Sequence, residues 1–141
     1  PRQTGSYGMV VPNFVRAALE GRPLQVYGDG TQTRCFCHVA DAVRAIQALI
    51  DDPAAEGRVF NVGSTDEISI LALAQRVVEL LDSESEIRLV PYEQAYRAGF
   101  EDMARRVPDT TRIREATGWH PTRTLDDIIL DVADSLRRRR P

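Results

Sequence analysis

Val39, Ala42, Val43, Ile46, Leu49 and Ile50 recur at the spacing that lines them along one side of a helix over 39–51, and Asp52-Pro53 stops the pattern. A second stripe, Ile70, Leu73, Ala74, Val77, Val78 and Leu81, follows Ser69, a residue type that caps helix starts. Each stripe needs an apolar surface to pack on. The segments that read as strands are few and short: 24–27, which alternates before the Gly28-Asp29-Gly30 turn, then 58–62, closed by Gly63, and 86–92. So thin a sheet covers little, and some of the helix faces are expected to pack on structure outside this chain.

Three more helices follow from the same logic. Pro12 suits the first turn of one that buries Val11, Phe14, Val15, Ala18 and Leu19 and ends at Gly21. Asp109 can cap a short helix that Gly118 terminates, ahead of the Trp119-His120-Pro121 turn. Thr124 with Asp127 has the spacing of a capping box for a last helix carrying Leu125, Ile128, Ile129, Val132 and Leu136. The polar stretch 94–107, with Gly99 inside it, reads as a loop with a short helical piece. Helices loosely alternating with short strands predict an α/β or α+β fold. A chain of 141 residues is long enough for one modest core. The opening Pro1-Arg2-Gln3-Thr4-Gly5 has no initiator Met, no signal peptide and no apolar strand to tie it down, so the chain is expected to be part of something longer.

Composition removes several functions. The formal net charge is −3 even with the run from Arg137 to Arg140 included, so the body of the chain is acidic and a poor partner for nucleic acid. That run follows a helix, where cations complement the negative end of the helix dipole. Every one of the 18 basic residues is Arg, which excludes a P-loop lysine, a Schiff base and a Tyr/Lys proton-transfer pair within the chain. Cys35 and Cys37 flank Phe36 and would share one face of a strand, but no second Cys or His pair stands at metal spacing, and His38 alone does not supply it. Buried free thiols in a reducing cytoplasm are the expectation. No apolar run approaches the roughly 18 residues that span a bilayer.

The residues themselves offer no nucleophile and base at suggestive spacing, and Gly5-x-x-Gly8 is too weak for a dinucleotide fingerprint. They do offer arginines on loops: Arg34 after the glycine turn, and Arg105-Arg106 before Pro108. A guanidinium fork suits phosphate oxygens, so two such loops converging would clamp a diphosphate, although any one of these arginines could equally be solvated surface charge.

The run Tyr27-Gly28-Asp29-Gly30-Thr31-Gln32-Thr33-Arg34-Cys35-Phe36-Cys37-His38-Val39-Ala40-Asp41 closely resembles the Y-G-[DK]-G-x-Q-x-R-x-[FW]-x-[YH]-V-x-D signature of the extended short-chain dehydrogenase/reductases, the family of NAD-dependent nucleotide-sugar epimerases, dehydratases and decarboxylases. Other segments agree in order. Pro1-Arg2-Gln3 is similar to the tail of the family's G-P-R segment, Val10-Val11-Pro12 to V-I-P, and Pro23-Leu24-Gln25-Val26-Tyr27 to P-L-x-V-Y. Phe60-Asn61-Val62-Gly63 matches F-N-[VI]-G, Arg106-Val107-Pro108-Asp109 matches R-x-P-D, and Gly118-Trp119-His120-Pro121 matches G-W-x-P. The resemblance runs through nearly the whole chain.

It implies a C-terminal nucleotide-sugar-binding portion over residues 1–141, with a Rossmann half upstream that holds NAD on its glycine-rich loop and supplies the catalytic Tyr-x-x-x-Lys pair. Carried over by position, Arg34 and Arg106 would grip the diphosphate, Asn61 would be a polar contact, and Val10 with Gln25, Val26 and Tyr27 would hold the pyrimidine and ribose. Gly28, Gly30, Asp41, Asp109, Trp119 and Pro121 have structural explanations and are not site residues. The implied protein is a cytoplasmic homodimer acting on an NDP-sugar, a UDP-sugar first, as an epimerase or dehydratase. A UDP-glucuronate decarboxylase shares most of these signatures. A binding module that recognises nucleotide-sugars without turning them over is the alternative from a different class.

Overall fold

The computed structural model describes residues 9–91 and 103–138. Within them the apolar stripes become α1 (Val10–Leu19), α2 (Val39–Ile50), α3 (Ile70–Leu80), α4 (Thr111–Thr117) and α5 (Leu125–Arg137), with a 3₁₀ turn at Pro53–Ala55. Short strands β1 (Leu24–Tyr27), β2 (Thr33–Cys35), β3 (Glu67–Ser69), β4 (Ile87–Val90) and β5 (Arg105–Arg106) make two small sheets. β1 runs parallel to β4, Leu24 opposite Ile87 through Tyr27 opposite Val90. β2 is the centre of the other sheet, antiparallel to β3 and parallel to β5. This is the mixed α/β architecture that the pattern predicts. Pro1-Arg2-Gln3, Gly5-x-x-Gly8, Tyr92, the helical piece expected within 94–102, Arg139 and Arg140 lie outside the described residues.

One core forms where α1 and α3 pack against β1 and α5 packs on α1 and α3. Val15, Leu24, Val26, Leu73, Val77 and Ile129 have no exposed surface there, and the inward positions of α1 and α3 match the predicted stripes. The caps act as expected at two helices. Ser69 Oγ accepts the Ala72 N–H at 3.1 Å, and Thr124 and Asp127 form the reciprocal capping box of α5. Arg76 on α3 adds a two-pronged grip on Asp126 of α5, Nε donating to Oδ1 at 2.8 Å.

Four expectations need correction. Residues 58–62 join no ladder among the described residues; Arg112 Nη1 donates to the Val59 carbonyl at 2.9 Å, and the Asn61 side chain reaches out to the Asp109 carbonyl, Nδ2 donating at 3.1 Å. Residues 105–106, expected within a loop, are instead a strand on β2. The N-cap of α4 is Thr110, not Asp109, whose Oδ1 accepts the Thr111 N–H at 2.9 Å in an Asx turn just before the helix. Cys35 and Cys37 are free but only partly buried.

α2 differs from α1 and α3. Its Ala45 is buried with Ile113 and Trp119, but Val39, Val43, Ile46 and Ile50 are 67%, 58%, 55% and 73% exposed. The predicted apolar stripe is present and faces outward among the described residues. No helix of the described residues is long and apolar enough to cross a membrane.

Candidate functional site

The turn after β1 aims the next strand. Gly28 and Gly30 sit at φ +70° and +74°, backbone that glycine adopts without strain. Gly30 is also forced by packing, since a Cβ there would lie 2.7 Å from Val26 Cγ1 and 2.8 Å from Leu71 Cβ. Asp29 Oδ1 accepts the Thr31 N–H at 2.9 Å, and Gln32 Nε2 donates to the Tyr27 carbonyl at 3.1 Å, closing the turn on itself. Its far side docks on α3: Leu71 N–H donates to Gly30 O and Ile70 N–H to Gln32 O, both at 3.0 Å. The first free N–H groups of α3 are thereby satisfied, and β2 leaves the turn in a fixed direction.

On β2 the ladder puts Arg34 opposite Arg106 of β5 and opposite Ile68 of β3. Residues paired in a ladder project to the same side of the sheet, and neighbouring strands lie roughly 5 Å apart. Two arginines distant in sequence therefore start from neighbouring backbone positions on the same side of the sheet. Arg34 Nη1 donates at 2.7 Å to both the Thr33 and the Met103 carbonyls, so one nitrogen of its guanidinium is tied to backbone. Like charges side by side cost stability unless an anion lies between them. Arg105 belongs to the other face, with Thr33, Cys35 and Glu67, and is paired to Glu67, Nε donating to Oε1 at 3.0 Å. The Arg105 guanidinium, then the Thr33 hydroxyl, holds the Glu67 carboxyl below its usual range. The dipeptide Arg105-Arg106 thus splits between the two faces of the sheet, Arg105 ion-paired with Glu67 and Arg106 on the face of Arg34.

Asn61 joins the same region from another direction. Its amide bonds the Asp109 carbonyl, and a Cβ at Gly63 would come within 2.9 Å of Pro108 Cγ, so residues 61–63 and 108–109 lie in close contact. Val10 begins α1 and is half-buried. Along β1, Gln25 is exposed, Val26 is fully buried and Tyr27 lies between, so any ligand contact from Val26 is a backbone contact. β1 and β2 belong to separate sheets linked by the 28–32 turn.

Two residues of the signature do more than sequence reasoning assigned them. His38 caps α2 with its ring: Nδ1 accepts the Ala40 N–H at 3.0 Å, which leaves the ring proton on Nε2, facing Asp131 Oδ2 at 2.9 Å. Asp41, 1% exposed, accepts from Arg44, from the Thr122 N–H and hydroxyl at 3.1 and 3.0 Å, and from the Arg123 N–H at 2.9 Å. Its own carbonyl receives Trp119 Nε1–H at 3.0 Å. Burial alone would raise its pKa, but Arg44, the Arg123 N–H and Thr122 outweigh it and bring the value to about 2. This is the anchor of the Trp119-His120-Pro121 turn, and it spans the 81 residues from Asp41 to Thr122. In the sequence Asp41 stands only as the last residue of the family signature, explained as a local cap or turn.

Burial, reinforced by Glu67 at Cys35 and by Asp41 at Cys37, pushes both thiols above their usual range, so neither is poised as a nucleophile. No group of three or more His, Cys, Asp or Glu among the described residues could hold a metal ion.

Residues 1–132 match the family profile described as GDP-mannose 4,6 dehydratase. A UDP-N-acetyl-alpha-D-glucosaminuronate decarboxylase from Bacillus cytotoxicus is 48% identical over 117 residues, which cover 83% of this chain and 36% of that protein. UDP-glucuronic acid decarboxylase 4 from Arabidopsis thaliana is 38% identical over 139 residues, 99% of this chain and 30% of the relative. Among solved structures, a UDP-glucose 4-epimerase with UDP-glucose from Thermotoga maritima superposes with a TM-score of 0.82 at 27% identity, covering 98% of this chain and 42% of that one. An epimerase from Methanothermobacter thermautotrophicus shares the fold with a TM-score of 0.83 at 24% identity, covering 94% of this chain and 38% of that one. The chain therefore spans about a third of the curated relatives it matches. With the profile covering most of its length and the signature turn, the arginine ladder and the Asp41 anchor built from the motif residues, this chain belongs to the nucleotide-sugar epimerase/dehydratase family of extended short-chain dehydrogenase/reductases.

Proposed function

We propose that this chain binds the diphosphate of a nucleotide-sugar, a UDP-sugar first, as the C-terminal substrate-holding part of an NAD-dependent sugar epimerase or dehydratase. The observation that carries this is the ladder pairing of Arg34 with Arg106. Two planar donor forks on one face of a sheet match a dianionic diphosphate, which offers more than one phosphoryl group to bidentate contacts. Backbone near Val10 and at Gln25, Val26 and Tyr27 takes the pyrimidine and ribose, and Asn61 contributes a polar contact beside Arg106. Anchoring the diphosphate fixes where the sugar lies, and holding reactants in place is itself a large part of catalysis.

The family implies NAD, which when bound accepts a hydride from the sugar and later returns it. The glycine turn of this chain does not fit its pyrophosphate: Gly30 is filled by Val26 and Leu71, and the start of α3 beside it is already bonded to Gly30, Gln32 and Ser69. NAD is therefore assigned to another part of the enzyme, which also supplies the catalytic pair and the homodimer contact, and this chain alone is inactive. Within the same family, decarboxylation of a UDP-uronate is favoured by the two relatives at 48% and 38% identity, both named as decarboxylases of UDP-linked uronates.

Calorimetric titration with UDP-glucuronate tests the proposal. Arg34→Ala and Arg106→Ala each weaken binding by about thirtyfold, the scale of one charge-assisted contact, and Lys at either position restores part of it. Arg112→Ala and Arg114→Ala, on α4, change it little. Equal small losses at all four positions would refute the clamp.

A further inference from the structure

We infer that Glu67 is a positioning residue that clips β5 to β2 and so sets Arg106 beside Arg34. The inference rests on the diphosphate proposal above and adds a residue that makes no contact with the ligand.

β5 is two residues long, and its ladder to β2 consists of Thr33 opposite Arg105 and Arg34 opposite Arg106. So short a pairing is marginal by itself, since strands need several paired residues or buried faces to hold register. Register is critical here: a slip of one residue exchanges the two faces of a strand. It would turn Arg106 to the Glu67 side and put Arg105, or no arginine, next to Arg34. Both arginines of β5 are exposed, so burial does not choose between the two faces. A specific contact has to do so.

Glu67 supplies it. The residue stands on β3, on the far side of β2 from β5, paired with Cys35. Its carboxylate reaches over β2, accepting the Thr33 hydroxyl on Oε2 at 2.8 Å and Arg105 Nε on Oε1 and Oε2 at 3.0 and 3.1 Å. One side chain thus links all three strands of the sheet. Glu67 is also the better shielded partner of the pair, with 29% of its side chain exposed against 68% for Arg105. On the opposite face, Arg34 Nη1 holds the Met103 carbonyl at 2.7 Å, and in the plane of the sheet the Thr33 N–H donates to the Ala104 carbonyl at 2.8 Å. The 103–106 segment is therefore held by side chains on both faces and by backbone between them. Among the described residues, only the Glu67 contact distinguishes Arg105 from Arg106, since the others are bonds to backbone.

A double-mutant cycle in the full chain, read as UDP-glucuronate affinity, tests this. Glu67→Gln keeps the size of the side chain and an acceptor for Thr33 but loses the charge that selects Arg105. It weakens binding by about tenfold in the wild-type background and has no further effect once Arg106→Ala is present, because Glu67 acts through Arg106. The exchanged pair, Glu67→Arg with Arg105→Glu, recovers most of the affinity. A purely structural role would give losses that multiply in the double variant and a melting temperature that tracks affinity. Multiplying losses, or full affinity in Glu67→Gln while Arg106→Ala is weak, overturn the positioning role and leave the diphosphate proposal standing. An Arg106→Ala variant with undiminished affinity overturns both.

Discussion

The two halves of this molecule are held together by different forces. Around α1, α3, α5 and β1, cohesion is apolar: a continuous cluster including Phe14, Val15, Leu24, Val26, Leu73 and Ile129 is shut away from water. Around α2 and α4 the buried cluster is small, Ala45, Ile113 and Trp119, and a single buried carboxylate, Asp41, ties the 119–123 turn to the start of α2. Among the described residues, the second region presents a row of exposed apolar side chains along one helix, Val39, Val43, Ile46 and Ile50 of α2, whereas the exposed ones of the first, such as Leu89 and Leu130, are scattered. A chain can fold around a modest core and keep another surface unsatisfied when polar bonds, rather than burial, locate the elements beneath it.

That contrast can be broken at Asp41 first. Asp41→Ala strands Arg44 and three donors from Thr122 and Arg123, and removing one member of a buried charged network costs about 3–5 kcal/mol. Urea unfolding gives the number, and a loss under about 1 kcal/mol would make Asp41 a bystander. Leu73→Ala, at a side chain with no exposure in the other region, costs about 3 kcal/mol through lost burial and a cavity. Unlike Asp41→Ala, it leaves the Trp119 fluorescence environment intact.

Acid sharpens the comparison. Asp41 titrates at about 2 in the folded chain against an ordinary 3.8, so its stabilisation is complete above about pH 4 and is lost as pH falls from there toward 2. Urea midpoints taken from pH 5 to pH 2 should fall steeply in the wild type and less steeply in Asp41→Asn. Parallel curves would mean that other carboxylates govern acid unfolding. Smallest of all is the effect expected at the α2 face: Ile46→Gln, at a position 55% exposed, changes the stability of this chain by less than about 0.5 kcal/mol. It also lowers the binding of dyes that report exposed apolar surface. A large loss would show that this face is packed in solution.

What the sequence disclosed follows the same division. Helix stripes, the Ser69 cap, the Thr124–Asp127 box and the glycine turn are local, and periodicity or a short motif suffices to find them. The outward turn of the α2 stripe was legible as well, as a surplus of apolar faces over strands. Contacts between distant residues were not legible. Nothing in the polar stretch near 105 marks a strand, because two residues carry no period, and nothing in 58–62 shows that it would find no strand to pair with among the described residues. The residues and the family resemblance together point to Arg34 and Arg106 as a converging pair, but not to how they are brought together. Their pairing across β2 and β5, and the role of Glu67 in fixing it, depend on a register that only the folded chain displays.

The central claim is that Arg34 and Arg106 form one site for phosphoryl groups, and it is tested most directly by comparing UDP with uridine. Calorimetric affinities for both ligands should be measured in the wild type, Arg34→Ala, Arg106→Ala and the double variant. If the ladder pair holds the diphosphate, the wild type prefers UDP over uridine by about a hundredfold or more. Each single variant loses much of that preference, the double variant loses nearly all of it, and uridine affinity stays level throughout. A preference for UDP that survives in the double variant would contradict the claim.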